Sequence, residues 1–196
     1  MSLAGFDFRG IAQRWLALPA QQPVNEAVQY GVNVVRAGTP SAWRCIGVYR
    51  LAPDENTGKH NVFVDVLDDN GNRTRIPSVN WTWYMDAPTQ VARLDKPDDE
   101  PAADIPINKQ DTITLCIDGD GLPSDSVGGI HTRHNDEGAG NTYGHFSYYV
   151  VFQRQRAAVI APPVERPTGS ELDALRAENL ALRKRIADAI GVLEAA

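Results

Sequence analysis

The chain has 196 residues, 42% of them hydrophobic, with 19 Lys and Arg against 25 Asp and Glu and a formal charge of −6. The length suits one globular domain with an accessory segment, and an acidic balance with no basic block, zinc-finger spacing or recognition-helix pattern argues against nucleic acid as a partner. No apolar run approaches the ~18 residues of a membrane span, and the start, MSLAGFDFRGIAQRW, has no apolar stretch behind basic residues, so neither a membrane helix nor a signal peptide is expected.

Residues 1–40 carry no clean period. Ile11 to Leu18 is short and mixed, Pro19 and Pro23 break it, and Val24 to Val35 is apolar without rhythm, so the segment reads as an N-terminal arm or small helices that pack on a neighbour. From Trp43 the period becomes two. Trp43, Cys45, Gly47 and Tyr49 alternate with Arg44, Ile46, Val48 and Arg50, which predicts a strand. PDENTGK is a loop, and HNVFVDVL over His60 to Leu67 is a β-branched strand with Asp65 breaking its pattern. Asn70-Gly71 is a hairpin dipeptide, with Thr74 to Ile76 as the return strand. Val79 to Met85 is a strand that sets Trp81 and Trp83 on one face. Asp86 to Pro106 holds Pro88, Pro97, Pro101 and Pro106 and reads as a long surface loop. DTITLCI over Asp111 to Ile117 is a strand, Ser124 to Gly144 is a glycine-rich loop, and FSYYVVFQ over Phe146 to Gln153 is a strand with aromatics on both faces.

Short strands punctuated by Asn, Asp, Gly and Pro turns predict a mainly β fold, an antiparallel β-sandwich or jelly roll with a C-terminal coiled-coil helix. No crossover-length helix lies between Trp43 and Gln153, which argues against a parallel α/β fold. The expected organisation is an arm over 1–40, a β-sandwich over 41–156, a Pro-rich linker over 157–169 and an oligomerisation helix over 170–196.

The C-terminal segment SELDALRAENLALRKRIADAIGVLEAA is rich in helix formers and opens on a capping box at Ser170 and Asp173. A heptad frame places Leu172, Asn179, Ile186 and Leu193 at a, and Leu175, Leu182 and Ala189 at d. Glu171 then faces Arg176, and Glu178 faces Arg183, in a parallel pair of helices. The expectation is a parallel homo-oligomer, dimer or trimer, with Asn179 fixing the register.

Chemistry concentrates in GGIHTRHNDEGAGNTYGHFSYY, which holds His131, His134 and His145. Imidazoles ligate zinc, copper or nickel, but this spacing is not the HExxH pair that a helix sets on one face, and hydrogen bonds within a long loop explain the histidines as well. No metal and no cofactor are expected. Asp118, Asp120 and Asp125 are hard oxygen donors in a turn, or a solvated acidic turn. No nucleophile elbow, Walker loop or dinucleotide fingerprint is present, so no enzyme is expected. Cys45 and Cys116 read either as buried thiols or as one disulfide. Trp81, Trp83 and Tyr143 are the candidates for stacking on a sugar ring, with core packing as the competing reading.

The stretches YRLAPDENTGKHNVFVDVLDDNGNR and SDSVGGIHTRHNDEGAGNTYGHFSYYVVFQ resemble a β-rich structural or surface module of tailed bacteriophages and prophage-like proteins, also found beside cell-wall lysins. The resemblance covers about Trp43 to Gln153 and implies a virion location. It carries no catalytic residue across. The function expected is that of a non-enzymatic structural protein of a phage particle, as capsid decoration, fibre or tail component. Its partners would be other virion proteins and further copies of itself. A carbohydrate-binding module for host-surface polysaccharide and a metal-dependent hydrolase are the alternatives.

Overall fold

The structure is a computed structural model that describes residues 6–18, 22–56, 58–83, 87–108, 111–132, 146–157 and 177–184. The chain divides into two units, Met1–Ala157 and Ala158–Ala196.

The first unit opens with α1 (Phe8–Leu16), capped by Asp7, whose side chain accepts from the Gly10 N–H at 2.9 Å. Phe8, Ile11, Ala12 and Trp15 are its buried residues. They fall at i, i+3, i+4 and i+7, the spacing of a single apolar stripe. Among the described residues ten strands follow: β1 (Val24–Asn25), β2 (Asn33–Val35), β3 (Ala42–Arg50), β4 (Asn61–Leu67), β5 (Ser78–Thr82), β6 (Gln90–Arg93), β7 (Ala103–Pro106), β8 (Ile113–Asp118), β9 (Ser126–Ile130) and β10 (Tyr148–Gln155). A single turn of helix, α2 (Pro53–Asn56), separates β3 from β4. They build two five-stranded sheets, ordered β1-β3-β10-β4-β7 and β2-β9-β8-β5-β6.

Alternation along the central strands shows how the layers stack. Val62, Val64 and Val66 of β4, with Tyr148, Val150 and Phe152 of β10, join Val79, Ile113, Leu115, Ile117 and Val127 in one core. Phe63, Leu67, Tyr149 and Val151, from the opposite face of the same two strands, pack with the α1 stripe in a second core. At β4 and β10 the first sheet is therefore buried on both faces, which is why these strands read as continuous apolar runs. In β3 a bulge intervenes: Val151 pairs with Gly47 and Phe152 with Cys45, so Ile46 is an extra residue. Trp43, Cys45 and Val48 consequently face the first core, while Ile46 and Tyr49 pack on the second. Strict alternation had put Tyr49 with Trp43, and one inserted residue reverses that face.

Asp125 locks β3 to the segment entering β9. It is fully buried. It accepts from Arg36 Nη1 at 2.6 Å, Arg44 Nη1 at 2.9 Å and the N–H groups of Ala37 and Cys45 at 2.9 and 3.0 Å.

The expected antiparallel sandwich or jelly roll with a coiled-coil helix is thus corrected. The fold is mixed α/β, with two open sheets and, among the described residues, only short helices. β10 runs parallel to β4, and β1 runs parallel to β3. The parallel pair needs no crossover helix, because β5, β6, β8 and β9 of the other sheet, together with the edge strand β7, lie between β4 and β10 in the chain. In the second unit the described helix α3 spans 177–184, eight residues and little more than one heptad, all of them exposed. That is too short for a coiled coil, since even isolated helices below about 12 residues are marginal. Asn179 and Leu182 lie on α3, while Leu172, Leu175, Ile186 and Leu193 fall outside the described residues.

Candidate functional site

Two concavities stand out in the first unit. The first lies where β6 and β7, the edge strands of the two sheets, come side by side. It is an open cleft of about 400 Å³. Trp81 lines it together with Arg93, Asp95, Lys96, Asp104 and Ile105. The position of Trp81 follows from strand parity: Val79 points into the core, so Trp81 and Trp83 point the same way, at the end of β5 where the core thins. Both indoles are half-buried, pack on the core and meet edge to face at 4.8 Å and 79°. The rim is polar and charged. Asp104 accepts from Asn61 Nδ2, and the Lys96 N–H donates to the Ala102 carbonyl at 3.2 Å.

The second is a cavity of about 540 Å³ beneath α1. Its floor holds Asp65 and Tyr149, its wall Phe8, Ala12 and Leu16, its rim Arg9, Arg73 and Arg75. Asp65 is 4% exposed. Its Oδ1 accepts from the Ala102 N–H at 2.9 Å and its Oδ2 from the Tyr149 hydroxyl at 2.7 Å. Arg73 Nε approaches Oδ1 at 3.1 Å but off the hydrogen-bond line. Burial pushes the Asp65 carboxyl above its ordinary value, against the opposing pull of Tyr149, Arg73 and the Ala102 N–H. The Tyr149 hydroxyl is pushed up too, by burial first and then by the Asp65 charge. Asp98, on the rim, is held below the usual carboxylate range by Arg75, whose Nη2 donates to it at 2.6 Å.

Of the residues singled out in the sequence, Trp81 and Trp83 come together and Trp81 opens on a cleft, while Tyr143 lies outside the described residues. His134 and His145 also lie outside them. His131 closes β9, where its carbonyl accepts from the Tyr148 hydroxyl at 2.9 Å. Among the described residues no group of three His, Cys, Asp or Glu is placed to hold a metal. Cys45 and Cys116 are free, sit in different sheets, and have thiols pushed up by burial. Asp118 accepts from Asn80 at 3.2 Å, and Asp120 pairs with Arg154 and Arg156 at 3.1 and 3.3 Å. The cavity under α1 was not foreseen. Its one signal in the sequence is Asp65, the single charge inside HNVFVDVL.

No family model matches the chain, and neither a curated protein nor a solved structure matches it.

Proposed function

We propose that the chain is a non-catalytic binding module that holds a saccharide in the cleft between β6 and β7. The observation that carries this reading is the half-buried Trp81 indole lining an open cleft beside Asp95, Asp104, Arg93 and Lys96. A pyranose has one face of C–H groups and an equator of hydroxyls. The C–H face suits the electron-rich face of an indole, and the hydroxyls suit carboxylates and cations at the rim. The volume falls within the range of small-ligand sites.

Glycan-array binding by the intact protein tests the reading. The expected result is retention of at least one polysaccharide, weakened about tenfold or more in Trp81→Ala, the scale of one lost aromatic contact. Because Trp81 also packs on the core, Asp95→Ala is the companion variant. Asp95 is exposed on the rim, so its loss of binding is read without a change in the thermal melt. A protein that binds no glycan, or binds equally well in both variants, overturns the proposal.

Display on a phage particle is the setting proposed for this module, on the strength of the resemblance in Tyr49 to Arg73 and Ser124 to Gln153. Capsid or tail genes on both sides of the coding sequence are the expected neighbours, and a purely metabolic neighbourhood would count against it.

A further inference from the structure

We propose that the cavity beneath α1 is a second binding site, for an organic carboxylate carried on an apolar body such as a medium-length hydrocarbon chain. Four observations converge on it. The wall is apolar on the helix side, through Phe8, Ala12 and Leu16, and a volume of about 540 Å³ is that of a ligand cavity rather than a packing defect. The rim carries three guanidinium groups, Arg9, Arg73 and Arg75, against the carboxylates Asp65 and Asp98. This local excess of positive charge lies on a chain of formal charge −6. Arg73 adds the second polar clue: its Nη2 is buried and has no hydrogen-bond acceptor among the described residues. A buried donor left unpaired is costly, and a ligand oxygen would satisfy it.

Asp98 shows how a carboxylate sits there. Its Oδ1 lies 2.6 Å from Arg75 Nη2 and 3.6 Å from Arg73 Nη1, so one carboxylate already engages both guanidinium groups. Asp98 is nevertheless a loose occupant, because its side chain is 77% exposed. A ligand carboxylate with an apolar tail gains what Asp98 cannot, namely burial of the tail against α1. Asp98 is therefore a competitor that the ligand displaces from Arg75. Asp65 is not displaced, since the Ala102 N–H and the Tyr149 hydroxyl both hold it. Arg73, which donates through Nη1 to the Pro97 carbonyl at 3.0 Å, keeps other donors for the ligand.

Calorimetric titration of the intact protein tests this with three probes. Octanoate has both charge and tail, octanol has the tail alone, and acetate has the charge alone. Octanoate is expected to bind about tenfold or more tightly than either of the others, the factor expected from one charge-assisted contact or one buried apolar group. Arg75→Ala is expected to weaken octanoate about tenfold, and Asp98→Asn to strengthen it by removing the competitor. Ala12→Phe fills the cavity and should abolish binding. Since that change also loads α1, the decision rests on Arg75, whose side chain is 43% exposed. Octanol binding as well as octanoate, an octanoate affinity indifferent to Arg75 and Asp98, or no octanoate binding would each overturn the proposal. None of these outcomes touches the saccharide cleft, which shares no residue with this cavity.

Discussion

The Asp125 carboxylate accepts four hydrogen bonds, and its neighbours in sequence give no hint of that. In SDS it reads as one more acidic turn residue beside Asp118 and Asp120. The partners that define it, Arg36, Arg44 and the Ala37 and Cys45 N–H groups, lie about 80 to 90 positions away. Such pairing leaves no trace in local composition, so a carboxylate that neutralises two arginines looks the same as one that waits for a cation. Breaking a buried charge cluster from one side costs more than the cluster contributes, because the remaining partners keep their desolvation penalty. Asp125→Ala is expected to lower unfolding free energy by about 3–5 kcal/mol. Asp125→Asn, which keeps one acceptor, should cost less. Urea unfolding checks both, through a lower midpoint at unchanged slope. A shift below about 0.5 kcal/mol for the alanine variant, the ordinary range of surface substitutions, would show that Asp125 is not a lock.

The elements legible in the sequence are the longer apolar runs, whether alternating, as in β8, or continuous, as in β4 and β10. All three fall within one or two residues of the runs that predicted them. β6, β7 and β9 hide in stretches that read as loops, for identifiable reasons. β6 and β7 are edge strands, where short length and a terminal Pro106 are tolerated. β9 contains Gly129 at φ +75°, where a Cβ would come within 2.3 Å of the Gly31 carbonyl oxygen, so a glycine that looks like a breaker is required by close backbone approach. α1 is nine residues long, too short for its stripe to stand out beside two prolines. Its seat on the sheet is set by Gly47, since a Cβ there would lie 2.1 Å from Trp15 Cε3. Gly47→Ala is therefore expected to lift Trp15 off Tyr149, on which it stacks at 6.0 Å and 20°. The cost should be about 1–3 kcal/mol, as for other overpacked sites, with a red shift in tryptophan emission. Pairing it with Trp15→Leu in a double-mutant cycle should recover part of the loss. Strictly additive effects would place the strain elsewhere.

On the scale of the whole molecule, what escaped the sequence was order rather than content. Strand residues were legible, but the insertion of β10 between β3 and β4 was not. That insertion brings Tyr149 beside Asp65, 84 positions apart, and makes the cavity under α1. It also shapes how stability depends on pH. Asp65 has a folded-state pKa raised above its ordinary 3.8 by burial, with Tyr149, Arg73, the Ala102 N–H and Arg9 pulling the other way. A raised value means that the folded chain holds this proton more tightly than the unfolded chain. Its contribution is then fully present below pH 3.8 and is lost as pH rises through the folded pKa. Asp68 and Asp98 are lowered, by backbone hydrogen bonds from Asn72 and Asn70 and by Arg75 respectively, so their contributions are present above the same value and lost as pH falls. The two effects oppose each other across the acid range, and single variants separate them. Asp65→Asn should gain stability relative to the parent as pH is raised from about 4 to about 7, because it lacks the buried charge that forms in that interval. Asp98→Asn should show the reverse trend in a lower window, losing ground relative to the parent as pH is raised from about 2 to about 4. Thermal melts of the three proteins at about pH 2, 4 and 7 check the signs. Parallel profiles for parent and Asp65→Asn would mean that Arg73 and Tyr149 offset the burial of this carboxylate in full.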